Sequence, residues 1–341
     1  MIDLAAALAE ILDRPVEGRG PAGIAALVAG AADPVAAWTP TSRGEPAFLA
    51  YSITKTFTGA LLLLLRDEGR LALDDRLARW PPGIPGADRV ALRQLLNHTA
   101  GIADYGGLSA YHDAVRAFPS TPWTFERFAA ETFDKGLRFE PGTGWAYSNP
   151  GYMLLKRIAE EVAGAPYATL IAERITRPLG LRRTFVPDSL DTLSSLAPAP
   201  SHELTTDGSA CDVRGRYHPG WVSHGVVASA PSEIARFFHA LFGGRLIPSQ
   251  SLREMQTVVS VAVRLRCPRP VGAHPATASG SWASGSRHSV GCGGTTAAAR
   301  AIGPPRTTRP TWGRRRCARC ARWKETRGAD PLVFSVFATL R

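Results

Sequence analysis

The stretch Ala47-Phe48-Leu49-Ala50-Tyr51-Ser52-Ile53-Thr54-Lys55-Thr56-Phe57-Thr58-Gly59-Ala60-Leu61-Leu62-Leu63-Leu64-Leu65 decides how this chain is read. Residues 47–51 read as a short strand. Ile53, Phe57, Ala60, Leu61 and Leu64 then recur at helical spacing, and Leu62, Leu63 and Leu65 fill the other faces. That pattern predicts a helix buried all round, closed at Gly69 by a C-terminal cap. Ser52 and Lys55, three residues apart at its first turn, share one face. A hydroxyl is a poor nucleophile until its proton is taken, and a lysine is no base until burial or neighbouring cations lower its pKa. The first turn also aims free backbone N–H groups at the pair. The arrangement suits a hydrolase that forms an acyl-enzyme; read alone, it equally suits a helix-capping serine beside a solvated lysine.

Working outward, 341 residues with 45% apolar and 20% charged side chains can bury a large core as one big domain or two moderate ones. The longest purely aliphatic run covers residues 60–65, far short of a membrane span. The first fifteen residues carry Asp3 and Glu10 and no basic lead before the apolar stretch, so they read as an amphipathic helix rather than an export signal, and a cytoplasmic location is expected. Five cysteines argue against a disulfide framework.

The net charge of +11 invites a nucleic-acid reading that its distribution opposes. Residues 257–341 hold fourteen Arg and one Lys against Glu325 and Asp330, a surplus of thirteen positive charges, while the preceding 256 residues are slightly acidic. Four of the five cysteines, Cys267, Cys292, Cys317 and Cys320, lie in the same basic segment. The two parts need separate explanations.

Pattern and punctuation predict a helix over 2–12, a hairpin over 23–38 turned at Ala32-Asp33-Pro34, and helices over 90–96, 124–133, 152–163, 168–175 and 232–242. Residues 186–212 read as loop. Strands are predicted over 258–265 and 332–340, with no period between them. Phe139-Glu140-Pro141-Gly142-Thr143-Gly144 is a turn-rich loop leading to Tyr147-Ser148-Asn149. A tyrosine near a serine and a lysine can shuttle protons, since nearby cations stabilise phenolate. An asparagine amide can orient both the lysine and a substrate carbonyl. The same residues also suit a core-edge aromatic and a helix cap.

Four segments together resemble the serine β-lactamase-like family, in its class C, D-alanyl-D-alanine carboxypeptidase and esterase branch. They are Ser52-Ile53-Thr54-Lys55, Leu95-Leu96-Asn97-His98-Thr99-Ala100-Gly101-Ile102, Glu140-Pro141-Gly142 with Tyr147-Ser148-Asn149-Pro150-Gly151-Tyr152, and Pro178-Leu179-Gly180-Leu181. They occur in the family's order, and the resemblance covers roughly residues 1–256. The resemblance implies an α/β (α+β) fold of the β-lactamase/penicillin-binding-protein type. An antiparallel sheet from both chain ends would be flanked by helices, with a mostly helical region inserted over about 70–215. It implies catalytic Ser52, Lys55 and Tyr147, substrate-binding Asn149, and the Ser52 backbone N–H as half an oxyanion hole. The substrate would be a small-molecule ester, amide or short peptide: a β-lactam, a D-amino-acid peptide or a carboxylic ester. No cofactor, metal, nucleic acid or membrane partner is implied. His98 falls in a motif that reads as structural.

The family's third motif, K-T-G or H-x-G on a strand beside the site, has no clear counterpart. The nearest stretch is Arg287-His288-Ser289-Val290-Gly291, with His288 as the stand-in for substrate binding. Residues 257–341 are compatible with an arginine-rich binding tail, a metal site at Cys317 and Cys320, or a disordered extension. Out-of-frame reading of a GC-rich gene fits their composition and the break after Thr257 better than any of these. On that reading a catalytically impaired relative is the alternative function.

Overall fold

A computed structural model describes residues 3–13, 21–28, 34–41, 44–80, 83–205, 207–261, 288–291 and 333–337. The cysteines of the basic segment, including the pair Cys317 and Cys320, lie outside them.

The chain opens with helix α1 (Leu4–Asp13) and the antiparallel hairpin β1 (Gly23–Val28) and β2 (Val35–Trp38). Leu8 and Leu12 of α1 pack on Ile24 and Ala26 of β1 as a small separate core. Strand β3 (Phe48–Leu49) leads through a 3-10 turn (Tyr51–Ile53) directly into α2 (Thr54–Asp67). Every α2 residue from Thr54 to Leu63, and Leu65, is buried, because apolar or small residues occupy all its faces. Gly69, at φ +72°, takes the left-handed turn that ends it.

Between α2 and the next long C-terminal helix lie α3 (Leu92–Leu96), α4 (Ser109–Ala117), α5 (Phe125–Thr132), α6 (Asn149–Ala163), α7 (Tyr167–Ile171, continued by a π-turn) and α8 (Leu190–Leu193). Thr124 caps α5 through its hydroxyl, and Ser148 caps α6 by accepting from the Gly151 N–H. The cap of α6 is therefore Ser148, and Asn149 begins the helix. Two two-residue strands, β4 (Pro200–Ser201) and β5 (Cys211–Asp212), pair across the stretch read as loop.

Strand β6 (Ala228–Ser229) pairs antiparallel with β3 and runs into α9 (Pro231–Phe242). Phe237 of α9 stacks on Phe57 of α2, ring centroids 3.7 Å apart. A Cβ on Gly23 would stand 2.3 Å from Pro231 Cγ, so glycine lets α9 sit on β1. Helix α10 (Ser249–Met255) follows, then β7 (Val258–Val261), β8 (His288–Gly291) and β9 (Val333–Phe337). Neither α4 nor α10 shows a long enough apolar period to be predicted from sequence.

Strand β9 pairs antiparallel with β1, Ile24 opposite Phe337 and Val28 opposite Val333, giving the sheet order β2-β1-β9. The two ends of the chain thus share one sheet, as the resemblance implied. Strand β8 pairs with β7 alone among the described strands. Among the described residues, no helix is long and apolar enough to cross a membrane.

Candidate active site

Ser52 sits where β3 turns into α2. The turn requires Tyr51 to adopt φ +38°, a left-handed conformation that costs a non-glycine residue energy. It is held from outside. Ala50 N–H donates to Val227 C=O at 2.7 Å, and Val227 N–H donates to Thr54 Oγ1 at 2.8 Å. These two bonds lock the first turn of α2 against the segment that precedes β6.

The Ser52 hydroxyl, half-buried, lies 2.6 Å from the Tyr147 hydroxyl. Lys55, 1% exposed, lies beneath both. Its Nζ is 3.5 Å from Ser52 Oγ, 2.8 Å from Asn149 Oδ1 and 3.1 Å from His224 Nε2. It also faces the rings of Tyr147 and Tyr152, 4.9 and 5.4 Å from their centroids. Burial pulls the Lys55 pKa from its ordinary 10.5 down to about 7, with Asp104 pulling the other way. A buried amine tuned to neutrality can take a proton from a hydroxyl; a solvated lysine cannot.

Two further residues complete the cluster, and neither was singled out in the sequence. Asp104 accepts the Asn149 backbone N–H at 2.8 Å, the Asn149 Nδ2–H at 3.4 Å and the Gly106 N–H at 3.1 Å. Because the amide nitrogen faces Asp104, the Asn149 carbonyl oxygen must face Lys55. His224 is fully enclosed. Burial, then Lys55, His98 and Lys156, hold its pKa well below the ordinary histidine value, so it is a neutral imidazole. Neither residue carries a motif: Asp104 lies in a short loop, and a lone histidine in an apolar run reads as core. The one local hint is Gly225, which lets the backbone turn at φ +78° beside it.

Tyr147 departs from the expectation that it would favour phenolate. Burial is the largest influence and raises its pKa; the Ser52 hydrogen bond opposes this only in part, and Asp104 adds to it. The phenol is thereby favoured in its protonated form, while burial moves Lys55 toward its neutral amine.

The Asn97-His98-Thr99-Ala100-Gly101 segment explains how Tyr147 is placed. Arg138 N–H donates to Gly101 C=O, Gly142 N–H to Thr99 C=O and Ala146 N–H to His98 C=O, at 2.8, 2.8 and 3.0 Å. His98 adopts φ +62°, accepts the Ser148 N–H on Nδ1 at 3.2 Å, and packs its ring 4.6 Å from that of Tyr147. It braces the loop.

Ser52, Lys55, Tyr147 and Asn149 are therefore brought together. His288 lies in β8, where its backbone pairs opposite Val261. Its side chain is outside what the structure describes.

A family model described as Beta-lactamase matches residues 8–303, past residue 256, where the resemblance was expected to stop. Penicillin-binding protein 4* of Bacillus subtilis (strain 168) is 32% identical over 217 residues, covering 59% of this chain and 46% of that protein. The chain spans about half the length of the curated relatives it matches or less. Among solved structures, a D-stereospecific amidohydrolase from Streptomyces sp. matches at 32% identity and a TM-score of 0.65, covering 75% of this chain and 78% of the other. A D-amino acid amidase from Ochrobactrum anthropi SV3 matches at 28% identity and a TM-score of 0.62, covering 75% and 74%.

Proposed function

This chain belongs to the Beta-lactamase family, and from that premise we propose that it is a serine hydrolase that cleaves an ester or amide through an acyl-enzyme on Ser52. The observation that carries the reading is the contact of one half-buried hydroxyl with both a phenol at 2.6 Å and a buried amine at 3.5 Å. In acylation, neutral Lys55 takes the Ser52 proton as Oγ bonds to the substrate carbonyl carbon. Tyr147 gives its phenolic proton to the departing amine or alkoxide as the C–N or C–O bond breaks, and the proton that Lys55 took from Ser52 makes good that loss. Water then enters by the same route and releases the acid. The Ser52 backbone N–H supplies one oxyanion donor in this scheme. The names of the solved relatives make D-amino-acid amides the first substrate class to try.

A second reading, a family member without turnover, is favoured by one observation. The strand carrying His288 forms no ladder with β3 or β1 among the described residues, so nothing described supplies the second oxyanion donor expected from a neighbouring strand. One experiment separates the two. The protein and its Ser52→Ala variant are incubated with a fluorophosphonate, a chromogenic cephalosporin, a nitrophenyl ester and D-phenylalanine amide. The expected result is turnover or a mass adduct on Ser52, absent from the variant. No adduct and no turnover with any probe would overturn the hydrolase reading.

A further inference from the structure

The three polar atoms around Lys55 Nζ are Asn149 Oδ1 at 2.8 Å, His224 Nε2 at 3.1 Å and Ser52 Oγ at 3.5 Å. A neutral amine has two N–H bonds and one lone pair to point at them. Asn149 presents only its oxygen, because its nitrogen is turned to Asp104. His224 is the variable member: an imidazole that carries its proton on Nδ1 accepts at Nε2, and one that carries it on Nε2 donates there. If Nε2 donated, it would occupy the lone pair and leave Ser52 without a base.

We propose that His224 is a positioning residue: as the Nδ1–H tautomer it accepts one N–H of Lys55, Asn149 accepts the other, and the lone pair is left facing Ser52. This rests on the reading of Lys55 as the base. The same tautomer serves the next step. Once Lys55 holds the Ser52 proton it is an ammonium with three N–H bonds, and these find Asn149 Oδ1, His224 Nε2 and Ser52 Oγ. The other tautomer would set N–H against N–H at that moment.

Nδ1 of His224 is buried with no hydrogen-bond partner among the described residues, so the tautomer is set from the Nε2 side alone, and the neighbouring ties fix where the ring sits. The segment around His224 is tied to the lysine's own helix turn through Val227 and Thr54, and to Tyr105 through Ser223, whose N–H and hydroxyl meet the Tyr105 oxygen at 3.3 and 3.0 Å. The groups facing His224 are Lys55, His98 and Lys156, all of which resist a second proton on the ring. Those facing Lys55 are Asp104, Tyr147, Tyr152, Ser52, Asn149 and His224 itself.

The test has two arms. In the full-length protein at neutral pH, nitrogen-15 NMR of His224 should show Nδ1 protonated and Nε2 bare; a protonated Nε2 would overturn the proposal. This arm needs no turnover, so it stands or falls separately from the adduct experiment on Ser52. In the second arm, His224→Gln keeps an oxygen near the Nε2 position and His224→Leu does not. The Leu variant should lose about 100-fold in kcat with little change in KM. Its acidic limb should move to lower pH, because the ammonium loses an acceptor. The Gln variant should keep the wild-type limb and most of kcat. Equal losses in both variants with an unmoved limb would reduce His224 to packing and overturn the proposal.

Discussion

Burial of Lys55 has opposite consequences for chemistry and for stability. In the unfolded chain its amine holds a proton up to about 10.5; in the folded protein it holds one only up to about 7. Between those values the unfolded state binds the extra proton, so stability from this group rises with pH across the window. It is fully present above 10.5 and is lost as pH falls through about 7. The proposed base is competent on the same upper side of pH 7. Activity should therefore climb as pH rises through about 7 in a kcat/KM profile. Lys55→Met removes the proton acceptor while nearly keeping the volume. It should cost 100-fold to 10,000-fold in kcat/KM, the usual worth of a general base, and yet melt higher than wild type at pH 6. A variant that is both inactive and less stable at pH 6 would mean that the hydrogen bonds of Lys55 outweigh its desolvation.

At the scale of elements, the cluster depends on a loop being clamped, and Gly101 is where the clamp closes. It sits at φ +80°, and a Cβ there would lie 2.4 Å from the Phe139 carbonyl oxygen. The neighbouring Gly101 C=O to Arg138 N–H bond holds the start of the loop that carries Tyr147. Gly101→Ala therefore combines a disfavoured backbone with a backbone clash. It should cost about 2 kcal/mol or more in denaturant unfolding and lower kcat by displacing Tyr147; unchanged stability would show that the loop is not clamped there. This element also shows what the sequence could reveal. Buried α2, the β1–β2 hairpin, and the meeting of Ser52, Lys55, Tyr147 and Asn149 were legible, because periodicity and ordered motifs encode them directly. Asp104 and His224 were not, because a carboxylate in a loop and a lone histidine gain meaning only from what the fold sets beside them. The neutrality of Tyr147 was misjudged for a related reason: sequence shows a neighbouring cation but not the burial that outweighs it. The motif around His98 supplies backbone carbonyls to the loop that carries Tyr147, in keeping with its reading as structural.

Across the whole molecule, the site and the sheet are held by different parts of the chain. The contacts that join Ser52, Lys55, His98, Asp104, Tyr147, Asn149 and His224 lie between residues 52 and 224, and the ties that fix the turn carrying Ser52 end at Val227. Helix α10 is bound to the far end of α2: Arg66 meets Glu254 at 2.5 Å and Ser251 at 2.9 Å, and Ser251 donates to Asp67 at 2.7 Å. The β2-β1-β9 sheet, by contrast, needs β9, which lies near the end of the basic segment and covers the edge of β1 through five residue pairs. An uncovered β1 would present a row of unpaired N–H and C=O groups to another chain. Ending the chain after residue 331 should therefore lower the melting temperature by several degrees and produce concentration-dependent association in light scattering. The fluorophosphonate adduct on Ser52, if the full chain forms it, should persist in freshly prepared truncated protein, because no contact of the cluster is removed. An unchanged melting temperature with monodisperse scattering would show that β9 does not close the sheet in solution. Loss of the adduct from a still-folded truncation would show that the sheet, and not the local clamp alone, sets the geometry at Ser52.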